Sequence, residues 1–169
     1  MRLAKIALIA LGFVVPLSAH ARDTLVRFEG GIGVIPTSRV NQPVSPSTIP
    51  TVVTNVVRKR NPGGQPWVIA RLEARIRMDG SIRATGRGLL LAGGDGIGTT
   101  GNQSVRAVLF CGPAATASEH SSELVPLEPD GDFKINGELS PAPPATCDTP
   151  VLLIVNGGGA WFAAGILDD

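Results

Sequence analysis

Residues 67–78 place an apolar side chain at every second position, and this alternation constrains the fold more than any other stretch of the chain. A period of two is typical of a β-strand with one buried face. The turn residues Asp79 and Gly80 follow, and residues 81–91 continue with apolar residues at alternate positions. The two segments therefore predict an antiparallel hairpin.

The register of this hairpin follows from a three-residue loop that ends in a left-handed glycine. Ile76 then lies opposite Ile82, and Leu72 lies opposite Gly86, so that the apolar side chains share one face. A shift of one residue would place Ile76 beside Arg83. We therefore expect a single, well-specified register.

Other short apolar segments repeat this organisation, and no long helical period is present. A second hairpin is predicted from residues 123–128 and 132–139, with Leu127 opposite Phe133. Further strands are predicted at residues 24–29, 104–111, 150–155 and 161–166. About seven to nine short strands predict an all-β fold, an antiparallel β-sandwich of immunoglobulin-like or prealbumin-like type.

The N-terminal residues have the order of a secretory signal peptide. Basic Arg2 and Lys5 precede an apolar stretch at residues 6–17, and a small-x-small cleavage motif follows. The apolar stretch is shorter than the roughly 20 residues of a membrane span. We expect a signal peptide at residues 1–21, no transmembrane segment after its removal, and a protein that is secreted or periplasmic.

The remaining chain, residues 22–169, is long enough for a single domain with its own core. Several prolines interrupt residues 36–66, and a proline cannot donate a ladder hydrogen bond in a central strand. We expect this Pro-rich region to be an irregular exposed loop or arm of the same domain.

The two cysteines, Cys111 and Cys147, form an even set in a chain that is predicted to be exported. That combination predicts one disulfide between them. A metal site would need more thiols or histidines nearby, and the sequence does not supply them. We therefore expect a disulfide, and neither a metal nor another cofactor.

Residues 96–101 read GIGTTG, which fits the G-x-G-x-x-G pattern of dinucleotide-binding loops. In such sites the loop leads into a helix whose N-terminus holds the pyrophosphate. Here the following residues, 104–111, alternate at period two and predict a strand. The pattern is therefore interpreted as a connection between strands at one end of the fold.

The overall charge gives no reason to expect a nucleic-acid partner. The chain has 15 Lys and Arg against 14 Asp and Glu. Loss of Arg2 and Lys5 with the signal peptide would leave the protein close to neutral. A charged partner would have to be recognised by a local cluster.

One local cluster is predicted on the polar face of the first hairpin. In the expected register Arg75 lies opposite Arg83, and Arg71 lies opposite Arg87, with Arg77 on the same face. Like charges opposite each other are unfavourable. An anionic lipid, an acidic glycan or an acidic protein surface would explain them. The alternative is a solvated face that salt and acidic neighbours screen.

His120 is the only histidine after the predicted cleavage site, and serines and glutamates lie beside it in the sequence. These groups suggest the alternative of a hydrolase that uses His120 as its base. A nucleophile and a base must converge in space, which adjacency in sequence does not establish. The sequence therefore assigns no catalytic residue.

The second half of the chain carries the segments SVRAVLFCG, LVPLEPDGDFKINGEL, PVLLIV and WFAAGI in that order. This layout resembles small exported bacterial proteins of uncharacterised function, over about residues 67–169. The resemblance implies a β-sandwich with one Cys pair, and no functional residue carries over from it. We expect a non-enzymatic binding or structural module of the cell envelope. Its partner would be an envelope protein or an anionic glycan or lipid.

Overall fold

The computed structural model describes residues 24–41 and 51–168. The predicted signal peptide, residues 1–21, lies outside the described residues. No described segment forms an apolar helix of the length that a bilayer crossing requires. The regular elements of the described ranges are thirteen β-strands: β1 (Thr24–Gly33), β2 (Thr37–Asn41), β3 (Thr51–Thr54), β4 (Trp67–Val68), β5 (Arg71–Arg77), β6 (Ser81–Arg87), β7 (Leu90–Leu91), β8 (Ser104–Cys111), β9 (Ser118–Ser121), β10 (Val125–Pro126), β11 (Phe133–Glu138), β12 (Val151–Asn156) and β13 (Trp161–Leu167).

One continuous antiparallel sheet contains most of these strands. Its order is β10-β8-β12-β13-β1-β5-β6-β11, and β9 pairs with β8 beside β10. The sheet curls strongly into a half-barrel, which brings β9 close to the end of β11. There Ser121 and Ser140 exchange two backbone hydrogen bonds of 3.0 and 2.8 Å. The predicted all-β, antiparallel class is therefore confirmed.

The first predicted hairpin is confirmed in its register. Ile76 of β5 lies opposite Ile82 of β6, and Leu72 lies opposite Gly86. Gly80 has a φ of 85° in the connecting turn, a conformation that glycine adopts without a steric penalty. The outer parts of the two predicted strands leave the main sheet, where β4 and β7 pair as a separate two-stranded sheet.

The second predicted hairpin is wrong in its pairing. β10 pairs with β8, whereas β11 pairs with β6 and places Phe133 opposite Gly86. Of the predicted hairpin, only the turn is present, with a 2.8 Å hydrogen bond from Gly131 N to the Glu128 carbonyl. Phe133 and Ile135 of β11 are buried and continue the apolar face of β6. Burial of this face therefore decides the partner of β11.

The core lies inside the curl of the sheet and draws on both of its halves. Phe28, Leu72 and Ile76 come from β1 and β5, and Leu109 and Ile154 come from β8 and β12. Each of these side chains is at most 1% exposed, and all belong to one apolar cluster. At about 25 cal/mol per Å² of buried apolar surface, this cluster dominates the stability of the fold.

Part of the Pro-rich region covers the sheet. Residues 55–67, which we call the covering segment, pack against β13, and Pro62 forms an isolated bridge with Trp161. Trp67 stacks on Phe162 with ring centroids 4.0 Å apart, and Trp161 Nε1 donates to the Asn55 carbonyl at 2.9 Å. The preceding β2–β3 hairpin forms its own small sheet. The covering segment therefore packs over the start of β13, at Trp161 and Phe162.

The predicted disulfide is confirmed. Cys111 ends β8, and its bond to Cys147 joins α-carbons that are 4.7 Å apart. Both cysteines are thereby oxidised, and the bond holds the irregular chain that precedes β12 against the end of β8. A disulfide of this kind is typical of an oxidising compartment.

The glycine-rich segment after β7 leads directly into β8, so the predicted strand at this point is confirmed. The segment is folded back on itself: Leu91 and Gly98 are joined by a 2.9 Å backbone hydrogen bond, and Thr99 Oγ1 donates to the Gly96 carbonyl at 2.8 Å. Because no helix begins here, the segment lacks the element that binds a pyrophosphate in dinucleotide sites.

Candidate functional site

The five arginines of the first hairpin lie on the outward side of β5 and β6. In the observed register Arg75 is opposite Arg83, and Arg71 is opposite Arg87. Arg77 follows on the same side of β5, because side chains alternate between the two faces of a strand. We call these five residues the arginine face.

Two further cations extend the arginine face onto neighbouring strands. Arg27 of β1 is opposite Arg75, so that Arg27, Arg75 and Arg83 form a row across three strands. Lys134 of β11 is opposite Thr85 of β6. The sequence prediction missed both residues because the pairing of β1 and β11 with this hairpin depends on long-range contacts. A sequence signal for Arg27 was present, because it lies between the apolar residues Val26 and Phe28 and therefore points outward in a strand.

The cations of this face differ in how they are compensated. Arg71 forms an ion pair with Glu73 and donates from Nε at 2.7 Å. Arg27 lies 3.6 Å from the carboxylate of Asp168. Arg75 Nε donates to the Thr24 hydroxyl at 2.8 Å. The exposed guanidinium of Arg83 makes no ion pair with any residue that the structure describes.

Two depressions follow the arginine face and meet at Glu73 and Thr85. The larger, of about 1060 Å³, lies between the ends of β5 and β6 and the chain that links β10 to β11. The smaller, of about 350 Å³, lies over the row of Arg27, Arg75 and Arg83. Because both are lined by Glu73 and Thr85, they form one groove along the outward side of β5 and β6.

The balance of positive and negative side chains differs between the two ends of this groove. At the larger end the cations Arg71, Arg87 and Lys134 face a cluster of carboxylates, which compensates them. At the smaller end three arginines lie with the carboxylates Glu29 and Glu73, and Arg27 is also 3.6 Å from Asp168. A planar guanidinium pairs with a carboxylate or phosphate through two parallel hydrogen bonds. The smaller end is therefore the part of the groove best suited to an anion.

His120 is buried and lies in a hydrogen-bonded chain. Its Nδ1 is 2.8 Å from the Pro141 carbonyl, and its Nε2 is 2.8 Å from Ser118 Oγ. A carbonyl oxygen only accepts, so Nδ1 carries the proton. In the neutral ring Nε2 then accepts from the Ser118 hydroxyl. The Ser118 hydroxyl also lies 3.3 Å from the Cys111 carbonyl.

The pair of Ser118 and His120 has the spacing of a nucleophile and its base. Its third member differs from that of hydrolytic triads, because the Pro141 carbonyl is neutral where a carboxylate would stabilise the imidazolium ion. The same contacts serve a structural purpose, since they tie β9 to the chain that follows β11. Hydrolysis at His120 stays a prediction.

Among the described residues, no group of three or more His, Cys, Asp or Glu side chains is placed to hold a metal ion. The candidate site is therefore the groove along the arginine face, with the Ser118–His120 pair as a separate polar cluster. Comparison of the chain with protein-family models, with curated proteins and with solved structures finds no match.

Proposed function

We propose that this protein is an exported, non-enzymatic binding module of the cell envelope whose arginine face takes an anionic partner. The observation that carries the proposal is the row of Arg27, Arg75 and Arg83 across three neighbouring strands. Like charges that lie opposite each other repel, and Arg83 makes no ion pair with any residue that the structure describes. An anionic glycan or lipid of the envelope, or an acidic protein surface, would remove that repulsion.

The remaining parts of this proposal concern location and fold. The order of residues 1–21 supports export, and the Cys111–Cys147 disulfide agrees with an oxidising compartment. The two halves of the curled sheet share one core, which supports a relation to β-sandwich folds. The resemblance to small exported bacterial proteins points the same way.

Binding to an anionic polysaccharide tests this function. The double variant Arg75→Ser/Arg83→Ser should bind alginate about tenfold more weakly than the wild type, because charge-assisted hydrogen bonds are lost. The variant Arg39→Ser/Arg106→Ser makes the same change in net charge on other strands, and we expect its affinity to stay within about twofold. Equal affinity for all three proteins would refute the arginine face as the binding site.

Salt dependence and a second probe define the partner further. Raising the ionic strength from about 0.05 to 0.5 M should weaken wild-type binding steeply, since screening acts on exposed charges. Vesicles that contain phosphatidylglycerol, compared with neutral vesicles, distinguish a lipid surface from a glycan. Binding to neither alginate nor anionic vesicles would contradict a glycan or lipid partner.

A further inference from the structure

The covering segment contains a tight turn that is unusual in its residues. Val57 and Arg60 exchange backbone hydrogen bonds of 3.1 and 2.8 Å across Arg58 and Lys59. Arg58 has a φ of 50° and Lys59 has a φ of 63°. Two successive left-handed residues define a hairpin turn that usually contains Asn and Gly. Side chains with a Cβ adopt this conformation at a cost in energy.

All three basic side chains of this turn contact the chain near the disulfide. Arg58 Nη2 donates to the Thr149 carbonyl at 2.9 Å, and Lys59 Nζ donates to the Ala115 carbonyl at 3.2 Å. Arg60 forms an ion pair with Glu119. Two of the three cations therefore have a neutral carbonyl as their hydrogen-bond partner, and their charge is not compensated by it.

These side chains line a small cavity, which we call the basic-turn pocket. Its volume is about 330 Å³, and its charged lining consists of the three cations and Glu119. The Nη1 atom of Arg58 is buried and makes no hydrogen bond with any described residue. The donors that the pocket presents to an anionic group are those of Lys59, which is exposed, and of Arg60, which is partly exposed.

We propose that the basic-turn pocket binds a phosphoryl group. Three cations and one carboxylate leave a surplus of two positive charges, which matches the charge of about −1.5 to −2 on a phosphate monoester. Its oxygens would accept from the free N–H groups of Lys59 and from Arg60, while Arg58 contributes its positive charge. The pocket is lined by the covering segment and is distinct from the arginine face.

The strained turn supplies a specific test. Lys59→Gly removes a cation and relieves a left-handed backbone at the same position, so it should raise the Tm of the protein in buffer without phosphate. The same variant should lose at least tenfold in affinity for inorganic phosphate. A variant that is more stable than the wild type but binds phosphate more weakly would show that Lys59 serves binding and does not serve the stability of the turn.

The experiment is a titration of the full chain with inorganic phosphate at constant ionic strength, followed by thermal unfolding. Wild type should show a Tm that rises with phosphate concentration, and sodium chloride at the same ionic strength should not reproduce the rise. Arg39→Ser, which removes one positive charge on β2 outside both proposed sites, should keep the full response. An absent response in wild type, or an equal response to chloride or in Lys59→Gly, would overturn the phosphoryl site.

Vesicles identify the source of the phosphoryl group. Sedimentation with phosphatidic acid, compared with phosphatidylcholine, should show whether a lipid headgroup enters the pocket. Loss of that binding in Lys59→Gly, with retention in Arg39→Ser, assigns a headgroup, whereas a response to inorganic phosphate alone assigns a soluble ligand. Failure of both probes would refute this site and leave alginate binding at the arginine face unaffected.

Discussion

Phe133 of β11 lies directly over Gly86 of β6. A Cβ added at Gly86 would stand 2.0 Å from Phe133 Cε1, far inside van der Waals contact. We therefore expect Gly86→Ala to destabilise the protein by about 1–3 kcal/mol, because the added methyl group overlaps the Phe133 ring and forces it to shift. Unfolding in urea measures this change.

Gly137→Ala is the matched control for that substitution, because Gly137 lies on the same strand as Phe133 and an added Cβ there meets no atom within 4 Å. We expect Gly137→Ala to change the stability by no more than about 0.5 kcal/mol. Equal effects of the two substitutions would show that the contact with Phe133 does not limit residue 86.

The disulfide should contribute strongly to stability. Cys111 and Cys147 are separated by 36 positions in the sequence, and closing a loop of that size restricts the unfolded chain. The double variant Cys111→Ala/Cys147→Ala should therefore lose about 3–4 kcal/mol in urea unfolding. Wild type with a reducing agent should unfold at a similar urea concentration. An unchanged midpoint in both cases would contradict this prediction.

His120→Ala tests the structural against the catalytic interpretation of the buried histidine. The substitution leaves Ser118 and the Pro141 carbonyl without their ring partner and opens a cavity, so we expect a loss of about 1–3 kcal/mol. Alginate binding should remain, because the arginine face is not altered. Wild-type ester hydrolysis that this variant abolishes while folded would instead establish the hydrolase alternative.

The turn of the first hairpin should respond to acid. Hydrogen bonds from the side chain and the backbone of Ser81, and the charge of Arg77, hold the pKa of Asp79 below its ordinary value of 3.8. The ionised form is therefore favoured in the folded state, and its stabilisation is present above the ordinary pKa. It should be lost as the pH falls from roughly 5 to 2.

Asp79→Asn provides the comparison for this effect, since the amide keeps an acceptor for the Ser81 N–H but carries no charge. The difference in Tm between wild type and Asp79→Asn should be largest above roughly pH 5 and should shrink towards pH 2. A difference that stays constant with pH would show that ionisation of Asp79 does not stabilise the turn.

The sequence predicts the local part of this fold well. The register of β5 against β6 was predictable because Ile76 and Ile82 could be buried together in only one alignment, and Gly80 specified the turn. The bounds of β8 match the predicted segment, although its second half is buried on both faces and does not alternate. The oxidised pair of Cys111 and Cys147 followed from the number of cysteines.

The long-range part of the fold was not predictable in the same way. Phe133 fits the apolar face of a hairpin with β10 as well as the face of β6, and only the assembled core distinguishes the two. Arg27 joins the arginine face through a β1–β5 ladder that no local pattern specifies. The basic-turn pocket depends on contacts from Arg58 to Thr149 and from Lys59 to Ala115, which are far apart in sequence.

The position of β13 between β12 and β1 also sets the order in which the molecule is completed. Phe28, near the N-terminal end of the described chain, pairs with Leu167 near its C-terminal end. The β1–β13 ladder in the middle of the main sheet therefore forms only after β13 has been synthesised, and contacts of such large sequence separation form slowly. Until β13 is present, no strand of the main sheet joins β12 to β1.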